Sequence, residues 1–411
     1  MNVQNLRDNY SLLIAYLEDQ GYSPIYVARL TREIKRILAR ADSQAWSSYT
    51  DVYRDYTQTP HSPDYLREKR MIIGAIEQFA VYHRFPDGRR RHELFPRGAY
   101  PLLSSEFRSI IDTDGAVAQH DGKKPTTIYS ESHHAATFFL SLQQQGLDTL
   151  AAITEEAVLA IFLSPDETVR RSCSYKKSLT AVLKACIPGQ GDACRRILAF
   201  LPALREPRKN IPYLTAEEIA QVKAVLAPGD HSLTLRDQAI GTLALYTGLR
   251  SCDIAGMTLD AIDWDRDVLS IQQQKTQYPL ELPLTARVGN ALYAYLTAER
   301  PPTEDQHVFL AQRKPYERLK SSSLGNVAGR IMDAAGIRQS SGDRKGFHLF
   351  RHYLATALLG HGVPQPVISR TLGHTSPDSL ETYLSADFPH LKDCALSIAR
   401  WPVPEEVLSH A

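Results

Sequence analysis

The chain has 411 residues, more than a single hydrophobic core usually organises, so two or three domains are expected. An apolar fraction of 43% and a charged fraction of 23% are ordinary for a soluble globular protein, and no apolar run is long enough to span a bilayer or to build a secretory signal, which predicts a cytoplasmic protein without a membrane partner. The formal net charge of +1 carries no overall basic signature, so any nucleic-acid contact must come from local clusters of Lys and Arg. Five cysteines, Cys173, Cys186, Cys194, Cys252 and Cys394, are odd in number and lack the paired spacing of zinc sites, so they read as reduced thiols with no metal.

Helical periodicity dominates the first two hundred residues. Leu12, Leu13, Tyr16 and Leu17 mark one amphipathic helix and Val27, Leu30, Ile34, Ile37 and Leu38 a second, separated by Gly21 and Pro24. Met71, Ile72, Ala75, Ile76 and Phe79 mark another. From Phe85 to Lys124 the pattern weakens among prolines and glycines, which reads as a connection with one short helix at Ser104 to Ile111. A second helical block follows, with Ile128, Ala135, Phe138, Phe139 and Leu142 on one face and Ala157, Val158, Ile161 and Phe162 on another. The order of the first block echoes in the second: Ser23-Pro24-Ile25-Tyr26 resembles Thr126-Thr127-Ile128-Tyr129, and Tyr65-Leu66-Arg67 resembles Tyr175-Lys176-Lys177. The period is about 105 residues and suggests two related helical modules.

After Pro202 and Pro207, Thr215 and Glu218 form the pattern of a capping box and open a new domain. Gln238 to Tyr246 reads as a buried helix. Ile262 to Pro283 reads as a hairpin in which Leu269 and Ile271 alternate with Val268, Ser270 and Gln272, with Leu280, Leu282 and Leu284 on the return. Helices resume at Leu324 and run to the end. The fold class is therefore mainly α, with a small β-sheet in the C-terminal domain and two helical modules before it. The boundaries are 1–100, 124–204, 210–399 and a tail at 400–411. Basic clusters at Arg89, Arg90 and Arg91, at Lys176 and Lys177, and at Arg205, Arg208 and Lys209 are the candidate DNA contacts.

Six residues of the last domain form a set. Arg250 ends Thr247-Gly248-Leu249-Arg250, where a glycine can turn the chain and present a guanidinium. Lys275 sits in the hairpin turn Gln273-Gln274-Lys275-Thr276-Gln277. His348 and Arg351 are three apart and share a helical face, on which both can hold one phosphate. His374 follows Leu372-Gly373 after a helix built on Val367, Ile368 and Leu372, and Tyr383 lies nine residues on. Two arginines, a lysine, two histidines and a tyrosine supply charge stabilisation, proton donor, proton acceptor and nucleophile for phosphoryl transfer with no metal and no cofactor.

Thr247-Gly248-Leu249-Arg250, His348-Leu349-Phe350-Arg351-His352, Leu372-Gly373-His374 and Tyr383 resemble, in order and separation, the motifs of the tyrosine recombinase (phage integrase) family. The likeness covers roughly Asn210 to Ala399. More loosely, Thr126 to Ala199 is similar to the family's core-binding domain, and the first hundred residues resemble another copy, a departure from the usual two-domain plan. The resemblance implies SAM-like helical modules and a site-specific recombinase or integrase of a mobile element. In that chemistry Tyr383 forms a 3′-phosphotyrosyl link and strands exchange through a Holliday junction without metal or ATP. It further implies that Arg250 and Arg351 bind the non-bridging oxygens, Lys275 protonates the leaving 5′ oxygen, His348 assists proton removal from Tyr383 and His374 donates to the phosphate. The expected partners are double-stranded DNA with a specific site, a homotetramer closed by a tail helix at Asp387 to Ile398, and DNA-bending accessory proteins, on the nucleoid in the cytoplasm. A type IB topoisomerase, and a DNA-binding regulator that keeps the fold without catalysis, are the alternatives.

Overall fold

The computed structural model describes residues 1–87, 92–166, 168–204, 214–312, 316–340 and 342–374. Tyr383, the expected tail helix, Arg89 to Arg91, and Arg205, Arg208 and Lys209 lie outside the described residues. The chain divides into two compact units, Met1–Ile14 with Ala28–Arg208 and Ala15–Val27 with Lys209–Ala411.

The first helices are α1 (Gln4–Asp19), α2 (Pro24–Arg40), α3 (Tyr49–Thr57) and α4 (Pro63–Tyr82). Leu6, Leu13 and Leu17 of α1 are buried, whereas Leu12, assigned by sequence to the same face, is 58% exposed, because it sits a hundred degrees round the helix from Leu13. Helix α3 escaped the periodicity reading. Its signal is a capping box, Ser48 and Asp51, rather than an apolar stripe, since only Tyr49 and Val52 are buried. Within the first unit, α2, α3 and α4 meet at buried Glu33, which accepts hydrogen bonds from Tyr56 Oη at 2.7 Å, Lys69 Nζ at 2.6 Å and Arg36 at 2.8 Å.

Next come α5 (Ser105–His120), α6 (Pro125–Gln143), α7 (Glu155–Phe162), α8 (Cys173–Ala185) and α9 (Ile187–Phe200). The stretch expected to be a connection with a short helix instead holds the sixteen-residue α5, which packs on α6 and α8 and buries Phe107, Ile110, Ile111 and Ala118. The helical spacing was present in the sequence. Gly115, which faces open space, and the flanking prolines and glycines masked it. Lengths of 16, 17, 9 and 20 residues for α1 to α4 run parallel to 16, 19, 8 and 13 for α5 to α8. Tyr65 and Tyr175 occupy the same place, three residues past capping Ser62 and Ser172, whose hydroxyls accept from their backbone N–H groups. Each ring also carries a cation over its face, Lys69 at 5.5 Å and Arg171 at 4.9 Å.

The second unit contains α10 (Ala216–Val225), α11 (Leu235–Thr247), α12 (Ser251–Ala255), α13 (Ala286–Ala298), α14 (Leu324–Ala334), α15 (His348–Gly360) and α16 (Gln365–Leu372). The Thr215–Glu218 capping box forms as expected, and Glu218 also pairs with Arg338 at 2.8 Å. Helix α11 is buried almost throughout and packs against α13, α14 and α15, so it is the central post of this core. Between α12 and α13 lies an antiparallel sheet in the order β1 (Ile262–Asp263), β2 (Val268–Gln272), β3 (Pro279–Pro283). Its register pairs Leu269 with Leu282 and Ile271 with Leu280, putting the four apolar side chains on the buried face. Among the described residues no helix is long and apolar enough to cross a membrane.

Removing one partner from the Glu33 cluster leaves buried charge uncompensated. Glu33→Ala is expected to destabilise the first unit by about 3–5 kcal/mol, read by denaturant unfolding. A loss below about 1 kcal/mol would show that Lys69 and Arg36 reach water once Glu33 is gone.

Candidate active site

Three chain turns bring Arg250, Arg351 and His374 of the second unit to one place. Helix α11 ends on Gly248, whose φ of 63° lets the chain reverse; a Cβ there would also sit 2.8 Å from Leu372 Cδ2. The reversal makes Arg250 the residue that precedes α12. Arg250 donates to Gln273 Oε1 at 3.0 Å. Gln273 is fully buried; its amide nitrogen donates to the carbonyl of Leu372 at 3.2 Å, and Thr276 Oγ1 donates to its oxygen at 2.7 Å.

Arg351, one turn into α15 and 7% exposed, donates to the carbonyl of Gly248 at 2.8 Å and to the same Leu372 carbonyl at 2.8 Å. After Leu372, Gly373 adopts φ 63°, where a Cβ would collide with the Gln273 amide, and the turn sets down His374. Lys275 projects from the exposed β2–β3 turn, two residues from Gln273. The adjacent Gln274 N–H donates at 2.8 Å to Asp253, a carboxylate 2% exposed in the first turn of α12. Its other oxygen has no hydrogen-bond partner among the described residues. Gln273 and Asp253 were not singled out from sequence. The available signals were the glutamine two residues before the turn lysine and the acidic residue three after Arg250.

Electrostatics links Arg250 and Arg351 to His374. Burial, then Arg351 and Arg250, push His374 down to about 4. Burial, then His348, Arg351 and Arg344, push His352 to about 4. His348 keeps an exposed edge, but the packed side of its ring, followed by Arg344 and Arg338, holds it below the usual histidine value. All three rings are thus neutral near pH 7, beside guanidiniums that stay charged. Arg250, Arg351 and His374 stand together at one end of the unit, with Lys275 on the turn that follows Gln273 and His348 one turn before Arg351 on α15.

The sequence of the second unit matches the phage integrase family over residues 212–390. A putative integrase/recombinase, y4gC of Sinorhizobium fredii, is 37% identical over 181 residues, which cover 43% of this chain and 92% of that protein. The chain belongs to the phage integrase family, the tyrosine recombinases. The tyrosine recombinase XerA of Thermococcus onnurineus is 24% identical over 294 residues, covering 70% of this chain and 94% of that recombinase. In fold, this family member is similar to the XerH site-specific recombinase bound to a palindromic difH substrate, with a TM-score of 0.54 at 15% identity, covering 73% of this chain and 98% of that one.

Of the remaining candidate residues of this recombinase, Lys176 donates at 2.7 Å to the carbonyl of Pro202, so its ammonium ties α8 to the chain beyond α9. Lys177 is exposed on the next position. Among the described residues no group of His, Cys, Asp and Glu is arranged to hold a metal ion.

Because the folded pKa values of His352 and His374 lie below the unfolded value near 6.5, the unfolded chain binds more protons between the two. Stability is therefore present at neutral pH and is lost as pH falls from about 6.5 toward 4. The thermal midpoint is expected to drop over that window, and His352→Gln to flatten the drop. An unchanged acid limb in the variant would assign it to carboxylates instead.

Proposed function

We propose that this tyrosine-type site-specific recombinase cuts and rejoins duplex DNA through Tyr383, with Arg250, Lys275, His348, Arg351 and His374 as the rest of its catalytic set. The observation that supports the assignment is that Arg351 and Gln273 share the Leu372 carbonyl while Arg250 binds Gln273, with His374 two residues past that carbonyl and Lys275 on the adjoining turn.

Tyr383 Oη attacks a backbone phosphorus; the P–O5′ bond breaks and a 3′-phosphotyrosyl bond replaces it. The two guanidiniums take the non-bridging oxygens, where their planar forks match charge spread over the transition state. Each contributes about 3 kcal/mol, on the scale of one oxyanion donor. His374, neutral beside them, donates an N–H to the same phosphate. Lys275 gives its proton to the departing 5′ oxygen, and His348 takes the phenol proton. Phenol has a pKa of about 10 and the leaving alkoxide a far higher one, so protonating the leaving group is the more demanding transfer. A 5′-hydroxyl of another strand then attacks the phosphotyrosine and releases Tyr383. The bonds made and broken are equivalent, so exchange needs neither ATP nor metal.

The substrate in this reading is double-stranded DNA carrying a specific recombination site. Two duplexes cut on both strands require four tyrosines, hence four protomers passing through a Holliday junction. Residues 1–100 form a second copy of the core-binding module, supported by the comparable lengths of α1 to α3 and α5 to α7 and by the equivalent Tyr65 and Tyr175, with Lys177, Arg205, Arg208, Lys209 and Arg89 to Arg91 following phosphates.

Tyr383→Phe removes only the nucleophilic oxygen. It should keep binding to the recombination site and form no SDS-resistant adduct on a nicked suicide duplex; adduct formation by this variant would refute the assignment. Lys275→Ala should cleave an ordinary phosphodiester slowly but recover on a substrate whose leaving oxygen is sulfur, which needs no proton. No recovery relative to the unsubstituted enzyme would place the general acid elsewhere.

A further inference from the structure

Arginines of the first helical module surround a surface cleft that the cutting chemistry does not use. The cleft, about 80 Å³, is lined by Arg67, Arg70 and Met71 of α4 and by His92, Glu93, Leu94 and Arg97 of the segment that follows. Arg67 and Arg70, three residues apart, share one face of α4. The opposite wall is fixed to the helices. His92 Nε2 lies 2.5 Å from Glu77 Oε2, Thr50 Oγ1 donates to the carbonyl of Leu94 at 3.1 Å, and Phe95 packs 5.4 Å from Tyr53. Gly74 allows this close approach, since a Cβ there would sit 3.1 Å from the His92 carbonyl.

The charges in this cleft are only partly answered. Arg67 pairs with Asp64 at 3.0 Å and Arg97 with Glu93 at 2.9 Å, and both side chains stay open to solvent, with donors to spare. Arg70 is half-buried and makes no hydrogen bond or ion pair with any described residue. Its neighbour Lys69 and the nearby Arg36 are both paired with Glu33. Three guanidiniums around one small cleft repel one another, an arrangement that a bound anion relieves. The sequence places Arg89, Arg90 and Arg91 immediately before His92.

We propose that this cleft binds a backbone phosphate of duplex DNA, with Arg70 and Arg97 as its main donors and Arg67 at the rim, giving the first module its own contact with DNA. The proposal rests on the recombinase reading for its ligand. A planar guanidinium fork suits a phosphodiester's two non-bridging oxygens, and the cleft is too small for a base, so the contact positions the protein without reading sequence.

The test uses the full-length chain and a long mixed-sequence duplex, with Kd followed against salt. Arg70→Ala/Arg97→Ala should weaken binding on the order of tenfold at low salt and reduce the slope of log K against log salt by about one to two. Arg97→Glu alone, at a side chain 47% exposed, should weaken it likewise without unfolding the module. A double variant that removes two arginines outside the cleft, Arg7→Ala/Arg54→Ala, should leave slope and affinity nearly unchanged. An unchanged slope in the cleft variants, or an equal loss in the outside pair, overturns the proposal. So does protection of the unsubstituted chain by inorganic phosphate with no change in duplex binding, which would make the cleft a free-anion site. Covalent adduct on a nicked suicide duplex is read separately and should persist in the cleft variants; its absence from the unsubstituted chain would sink the recombinase mechanism while the salt slope still decides the cleft.

Discussion

The backbone carbonyl of Leu372 accepts hydrogen bonds from both Gln273 and Arg351, and the Arg250–His374 end of the second unit is arranged around it. Four stretches of chain meet there: Gly248 to Arg250, the turn after β2, the first turns of α15 and the end of α16. A carbonyl at a helix C-terminus has lost its helical donor. Here the missing donors are a buried amide and a buried guanidinium, so helix termination and site assembly are one event. Gly248 and Gly373 make it sterically possible, because a side chain at either would strike Leu372 or Gln273.

Charge in that node is asymmetric by construction. The guanidiniums cannot release their protons, whereas the imidazoles, buried next to them, do so readily and remain neutral. That end of the unit therefore pairs positive charge with neutral imidazoles, each having one nitrogen that can donate and one that can accept. The guanidiniums are held in place by the Gly248 and Leu372 carbonyls and by Gln273, so their charge is fixed before any anion arrives. Asp253 supports the same arrangement from behind by holding the backbone of the lysine-bearing turn.

A net charge of +1 conceals this distribution. Arg250 and Arg351 stand close together in the second unit and Arg67, Arg70 and Arg97 surround one cleft in the first, while Lys69 and Arg36 are answered by Glu33. Tyr65 and Tyr175 each stand three residues past a capping serine and carry a cation over the ring, a local likeness between the two N-terminal helical groups.

Local sequence determined much of this protein. The alternation of Leu269, Ile271, Leu280 and Leu282 specifies a one-sided hairpin and its register, Thr215 and Glu218 start α10, and the spacing of Arg250, His348, Arg351, His374 and Tyr383 marks the chemistry, because each is a property of neighbouring residues or of residue type. Helix α5 was obscured because Gly115 and the flanking prolines weaken local propensity, which packing against α6 and α8 overrides. Helix α3 was missed because a short helix with two buried residues has too little periodicity to detect. Tertiary structure alone decided that Gln273 joins Arg250 to a carbonyl 99 residues away and that Arg70 faces Arg97 across a cleft rather than an acidic partner. Both depend on where distant segments meet, and hydrogen bonds between such segments leave no periodic trace along the chain.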